Sequence, residues 1–273
     1  MIRLHDASLL TVAQRLSDRD RRILTTIGDF KLLRADQIER LFFSEQRSLD
    51  AATRHCRRTM VQLCELGLLA RLERRIGGVR AGSSGHVYTI APAGRRLLAH
   101  WNNQERPSNR GLHEPGLRFV EHTLEIAELH VRLHEADRNR AADLLGFDPE
   151  PACWRAYTSL TGAAQTLKPD AFVRLGLDEW EERCFVEVDL ATEGRGALAR
   201  KLRAYLDYYK SGREQAADGV FPRVVWLTST SARARLIKKT ADEQATVTGL
   251  FTVAVLDDAV AALSGDESSE AAS

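Results

Sequence analysis

The chain has 273 residues, 44% of them hydrophobic and 28% charged, with a formal net charge of +1, which is room for two domains of ordinary size. No apolar run approaches the roughly 18 residues of a membrane helix, and the first residues lack the pattern of an export signal, so a cytoplasmic protein with no membrane partner is expected. The cysteines Cys56, Cys64, Cys153 and Cys184 form no CxxC pair, which argues against a zinc site and for buried, reduced thiols.

The small net charge conceals an asymmetry. Residues 1–101 carry 18 Lys and Arg against 10 Asp and Glu, a net of +8, and residues 102–273 carry 21 against 28, a net of −7. A basic front half joined to an acidic back half points to a polyanion as the partner of the front half.

Taken in order, Ser17 is an N-cap for a helix from Asp18 to about Asp29, with Asp18 and Asp20 in its first turn and Ile23, Leu24 and Ile27 as its apolar stripe. A second helix follows near Ala35–Phe42. Ser48 caps a third, about Leu49–Leu66, which Gly67 closes. On this third helix Ala52, Cys56, Met60 and Leu63 recur at helical spacing, while Arg54, Arg57, Arg58 and Val61 fall on the opposite side. Strand-like runs at 68–75 and 86–91 flank residues 76–85, IGGVRAGSSG, a loop rich in Gly and Ser. Pro92 opens a last helix to Trp101.

Three helices, a strand, a glycine-rich loop and a strand make the plan of a winged helix-turn-helix domain over residues 1–101. In that plan the third helix enters the major groove of double-stranded DNA, and the wing lies over phosphates. Arg54, Arg57 and Arg58 are therefore the expected groove contacts, and Arg74, Arg75 and Arg80 the expected backbone contacts. His55 and His86 read as ordinary helix and strand residues.

Residues 102–115, NNQERPSNRGLHEP, are polar and interrupted by Pro and Gly, and form the expected linker. A long helix from Gly116 to about Arg138 follows, with Val120, Leu124, Ala127 and Val131 on its core side and Glu121, His122, Glu125 and Glu128 elsewhere. A strand at 144–148 is broken by Pro149 and Pro151 before it continues at 153–157. Then comes a hairpin. Its first strand opens on Pro169-Asp170, and its second carries Glu187-Val188-Asp189. A basic helix at 194–210 contains Lys201 and, one turn on, Tyr205. The run 223–228 reads as a buried strand, 232–246 as a helix and 250–256 as a strand. The segment 264–273 is acidic and made of small residues, and reads as a disordered tail.

The order of elements over residues 116–263 resembles the restriction-endonuclease-like core of the PD-(D/E)XK nucleases, giving an α+β chain with an α/β nuclease-like second domain. Residues two apart on a strand share a face, so Glu187 and Asp189 can both look toward Asp170. Such an oxygen-rich set suits Mg²⁺ or Mn²⁺, which assists phosphodiester cleavage by activating water and neutralising the leaving oxygen. Asp189 stands where the resemblance implies a lysine, and Lys201 is the candidate replacement. The expected catalytic set is Asp170, Glu187, Asp189 and Lys201, with the three carboxylates as metal ligands and Glu150 and Glu193 in reserve.

The winged-helix region, Leu167-Lys-Pro-Asp170, the block from Phe185 to Glu193 and Lys201-Leu-Arg-Ala-Tyr205 together resemble the replication-relaxation family of plasmids and integrative elements. Asp189-Leu-Ala replaces an Asp-Arg-Gly often found in that family. The resemblance implies a DNA-binding protein of a mobile element that acts in replication, relaxation or mobilisation, with replication or mobilisation proteins as further partners. Two readings stay open: a Mg-dependent DNA-nicking enzyme, or a non-catalytic regulator or replication accessory factor whose degenerate nuclease fold serves as a homodimer interface.

Overall fold

The computed structural model describes residues 6–46, 48–72, 85–105, 115–159, 162–244, 247 and 249–265. The expected wing with Arg74, Arg75 and Arg80, most of the 102–115 segment, and residues 266–273 of the acidic tail lie outside the described residues. The architecture is α+β, and the chain divides into two compact units between Val131 and Arg132.

The first unit opens with α1 (Asp6–Gln14), which the sequence reading did not assign. In α2 (Asp18–Phe30), Ser17 and Asp20 cap each other. The Asp20 N–H donates to Ser17 Oγ at 3.2 Å, and the Ser17 N–H donates to Asp20 Oδ2 at 3.0 Å. Ile23, Leu24, Ile27 and Phe30 bury its apolar stripe. A two-residue strand β1 (Leu33–Arg34) leads into α3 (Ala35–Phe42), and α4 (Leu49–Glu65) starts at its Ser48 cap. Strands β2 (Leu69–Arg71) and β3 (Val87–Ile90) complete an antiparallel sheet of order β1-β3-β2, and α5 (Pro92–Trp101) follows with proline in its first turn. Gly94 lets α5 approach the chain closely, since a Cβ there would sit 2.2 Å from the Leu68 carbonyl oxygen.

The division between the units falls inside the long helix α6 (Leu117–Arg138). Its early residues Val120 and Leu124 pack with Leu32 and Val87. Glu128, expected away from the core side, is 8% exposed. Arg40 Nη1 and Arg34 Nη2 reach its two oxygens at 2.7 and 3.1 Å, and the buried amide of Gln37 donates to it at 3.1 Å. A charged residue enters a core only with such partners.

The second unit is built on a five-stranded sheet of order β10-β9-β8-β7-β4. Strands β4 (Asp143–Pro149), β7 (Ala171–Leu177) and β8 (Trp180–Asp189) run antiparallel, with β7 and β8 joined by a two-residue turn at Asp178 and Glu179. Strands β9 (Arg223–Thr228) and β10 (Phe251–Val255) extend it in parallel. The expected continuation of β4 past the prolines is corrected: β5 (Arg155–Thr158) leaves the sheet and pairs with an unanticipated strand, β6 (Ala164–Leu167). Pro149 and Pro151 cannot donate ladder bonds, so the strand cannot run through them.

Helices α7 (Arg195–Lys210) and α9 (Ser231–Asp242) lie on one face of the sheet. Leu198 and Leu202 of the first meet Ile237 and Ala241 of the second over Trp226. Between them in the chain is the short α8 (Arg213–Asp218), and the last helix, α10 (Ala259–Ser264), takes in the residue where the tail was expected to begin. Neither short helix carries enough periodic sequence to be read beforehand. Among the described residues no helix is long and apolar enough to cross a membrane.

Candidate functional site

Strand β8 is buried from Cys184 to Asp189, as the middle strand of a covered sheet must be, and two of those positions are carboxylates. Glu187 is 1% and Asp189 7% exposed, and Asp170, just ahead of β7, is 6% exposed. Carboxylates this deep need partners, and the partners define the site.

The antiparallel register pairs Ala171 with Val186, and the Asp170 N–H bonds the Val186 carbonyl at 3.0 Å. Asp170 therefore stands across from Glu187, on the same face. The Val188 N–H donates to Asp170 Oδ2 at 2.8 Å and fixes that carboxylate. From α7, Lys201 and Tyr205, one turn apart and so on one side of the helix, both reach Glu187. The Tyr205 hydroxyl donates to Oε1 at 2.5 Å, and the Lys201 ammonium forms an ion pair with Oε2. The same ammonium is 4.0 Å from Asp170 Oδ2 and 5.8 Å from the Trp226 ring. Asp170, Glu187 and Lys201 are thus brought together.

The electrostatics follow from burial. Loss of solvent pushes the Glu187 carboxyl up to about 8; Lys201 pulls it down and Asp170 adds to the rise. Burial alone would lower Lys201, but Glu187 and Asp170 outweigh it and hold the ammonium above its ordinary value. Tyr205, buried and bonded to Glu187, is raised well above the ordinary tyrosine range and stays a proton donor.

Asp189 shares the face of Glu187 but not its company. Arg233 of α9 closes on it with Nε to Oδ1 at 3.1 Å and Nη2 to Oδ2 at 2.7 Å, and the Ala191 N–H adds a bond to Oδ1 at 2.6 Å. The three-carboxylate ligand set is therefore not assembled, and among the described residues no group of three or more His, Cys, Asp or Glu side chains could hold a metal ion. Asp170 and Glu187 alone still fit Mg²⁺ or Mn²⁺, because such ions are commonly held by one or two carboxylates, with water and phosphate oxygens completing the sphere. Of the reserve ligands, Glu150 is tied to the site through its backbone N–H, 3.1 Å from the Asp170 carbonyl, and Glu193 is exposed.

Sequence reading missed Arg233. A cation in the first turn of a helix opposes the helix dipole, so an arginine three residues after the Thr230 cap was the available sign of a dedicated carboxylate partner.

In the first unit, Arg54, Arg57 and Arg58 are exposed on α4 together with His55 and Val61, opposite the buried Ala52, Cys56, Met60 and Leu63. His86 lies beside Arg71, with 3.5 Å between Nε2 and Nη1. His122 is carried by the part of α6 that belongs to this unit. All four cysteines are free thiols, and Cys64 is only partly buried.

No curated protein matches the chain. The sequence model of the family described as replication-relaxation matches residues 24–224, well over half of the length. The match spans α4, both carboxylates opposed across β7 and β8, and Lys201 and Tyr205 on α7, and the chain belongs to the replication-relaxation family.

Proposed function

We propose that the protein binds double-stranded DNA of a plasmid or other mobile element through a winged-helix first unit, and that its second unit is a PD-(D/E)XK-type nuclease domain that nicks DNA near that site. Replication, relaxation or mobilisation of the element is the process served, with replication or mobilisation proteins as partners. The exposed arginines on α4 support the DNA-binding part: an amphipathic helix with three cations on its outer side is what groove contact requires.

The nicking part rests on Lys201. Nuclease cores of this type pair two carboxylates with a lysine, and here a lysine from the neighbouring helix meets Glu187 and stands 4.0 Å from Asp170. A divalent cation held by Asp170 and Glu187 would supply the charge that activates water and steadies the leaving oxygen. The protein's own contribution is orientation. The Val188 N–H fixes Asp170, Tyr205 fixes Glu187, and Lys201 offers a cation beside the position of the scissile phosphate.

A second reading, a non-catalytic regulator or replication accessory factor that dimerises through a degenerate nuclease fold, draws on the same ion pairs. Glu187 already has the Lys201 ammonium and Asp189 the Arg233 guanidinium, so the buried carboxylates are balanced within the chain. Supercoiled plasmid incubated with the protein and Mg²⁺ or Mn²⁺ separates the two. Under the first reading wild type converts it to open circles, and Asp170→Ala and Glu187→Ala do not. Intact plasmid with wild type, or nicking undiminished in the variants, leaves the second reading.

A further inference from the structure

The acidic half of the chain contains a basic layer. Residues 195–210 and 231–243, which make up α7 and α9 with Glu243, carry nine Lys and Arg against three Asp and Glu, a net of +6 inside a half whose total is −7. An arginine-rich composition would spread such an excess; here the excess is confined to one pair of adjacent helices.

Two of the nine cations point inward, Lys201 to Glu187 and Arg233 to Asp189. The apolar sides of both helices face the sheet through Leu198, Leu202, Ile237 and Ala241. Their other sides expose Arg200, Arg203 and Lys210 on α7, and Arg235, Lys238 and Lys239 on α9. Arg195 of α7 and Glu243, just after α9, pair at 3.6 Å and join one end of the two helices. A helix that is merely solvated interleaves opposite signs at three- and four-residue spacing. Asp207, Asp242 and Glu243 supply that interleaving to Arg203, Lys238 and Lys239, but the two helices with Glu243 still expose seven cations against three carboxylates, an excess that suits a polyanion.

From this juxtaposition we infer that the outer face of α7 and α9 is a second DNA-binding surface, one that holds the phosphodiester backbone of the duplex. The inference rests on the reading that the protein binds DNA. It adds a contact independent of α4, carried in part by the helix that delivers Lys201 on its inner side. The cations have no base edge to read and act through charge, so their contribution is insensitive to sequence.

Affinity of the full-length protein for a labelled duplex, measured by anisotropy across a salt series, tests this. Each phosphate contact contributes about 0.9 to the slope of log K against log salt concentration. The fourfold variant Arg200→Ala, Arg203→Ala, Lys238→Ala, Lys239→Ala is expected to flatten the slope by about one per cation lost, equally for specific and unrelated sequences. The variant Arg200→Lys, Arg203→Lys is expected to keep the wild-type slope. A fourfold variant with native circular dichroism and an unchanged slope overturns the inference. Should that variant lose its fold, the pair Lys238→Gln, Lys239→Gln, confined to the outer face of α9, decides by the same criterion. Wild type that binds no duplex refutes the DNA reading itself. Wild type whose binding is weakened by Arg57→Ala with Arg58→Ala, but not by changes on α7 and α9, refutes only the second surface.

Discussion

The guanidinium of Arg233 grips both oxygens of Asp189, at 3.1 and 2.7 Å, and also donates to the Glu193 carbonyl at 2.9 Å. One side chain thereby holds both ends of the segment between β8 and α7. Asp189 is an anchor for the start of the helix that carries Lys201 and Tyr205, which is a different task from binding metal.

Removing either partner leaves the other charged group buried, since the two side chains are only 10% and 6% exposed. Arg233→Ala and Asp189→Ala should each lower stability by about 3–5 kcal/mol. The double variant should cost clearly less than the sum, as for any pair in direct contact. Urea unfolding of the four proteins measures this, and additive losses would mean the pair is not coupled.

The residues that sequence reading placed well are those whose signals are local. Ser17 and Ser48 announce α2 and α4, Pro92 opens α5, and the apolar run Arg223–Thr228 is the buried strand it resembles. What escaped was set by distant partners. Glu128 reads as a surface charge until Arg34, Gln37 and Arg40, some ninety residues earlier, are folded against it. Asp189 reads as a third ligand because Glu187 is two residues away, while Arg233 is 44 residues downstream. At the site, the facing of Asp170 and Glu187 was legible from strand alternation, and Lys201 was suggested by the resemblance to a nuclease core, which implies a lysine where Asp189 stands. The β5–β6 hairpin was not, because β6 is short and mostly exposed and carries no apolar alternation.

The metal ligands are expected to be two, not three. Mn²⁺ titrated into the protein in a calorimeter should bind wild type and Asp189→Asn comparably, because the asparagine can still accept a hydrogen bond from Arg233. Asp170→Ala and Glu187→Ala should each weaken binding by at least about tenfold. Loss of binding in Asp189→Asn alone, with its fold intact, would return Asp189 to the ligand set.

Gly94 and Gly28 make a matched test of packing in the first unit. Alanine in a helix gains roughly 1 kcal/mol over glycine, so both changes begin with a benefit. At Gly94 the new Cβ falls 2.2 Å from a backbone oxygen, that of Leu68, which can move only with the chain leading into β2. At Gly28 it falls 2.6 Å from the end of the Leu98 side chain, which can rotate away. Overpacking costs about 1–3 kcal/mol, so Gly94→Ala should be destabilising and Gly28→Ala nearly neutral by thermal melting. Equal effects would show that α5 does not approach Leu68 this closely in solution.

The thiols give a pH dependence whose sign is fixed by burial. Loss of solvent pushes both Cys56 and Cys184 up to about 12 from an ordinary value of 9.0, with nearby carboxylates adding to the rise at Cys56 and Arg223 partly opposing it at Cys184. The unfolded chain sheds these protons above pH 9 while the folded chain keeps them. The native state therefore binds more protons between 9 and 12, and stability must fall as pH rises through that window, whereas below 9 the two thiols contribute no slope. Cys56→Ala with Cys184→Ala should flatten the alkaline limb of a stability profile measured by denaturant unfolding. The same burial predicts which thiol reacts. At pH 8, iodoacetamide should modify native protein at Cys64, the partly exposed cysteine, and reach Cys56 and Cys184 only after unfolding. Rapid native labelling of Cys184 would mean that the cover of α10 over its face of β8 opens, since Cys184 Sγ lies 4.0 Å from the Leu263 carbonyl.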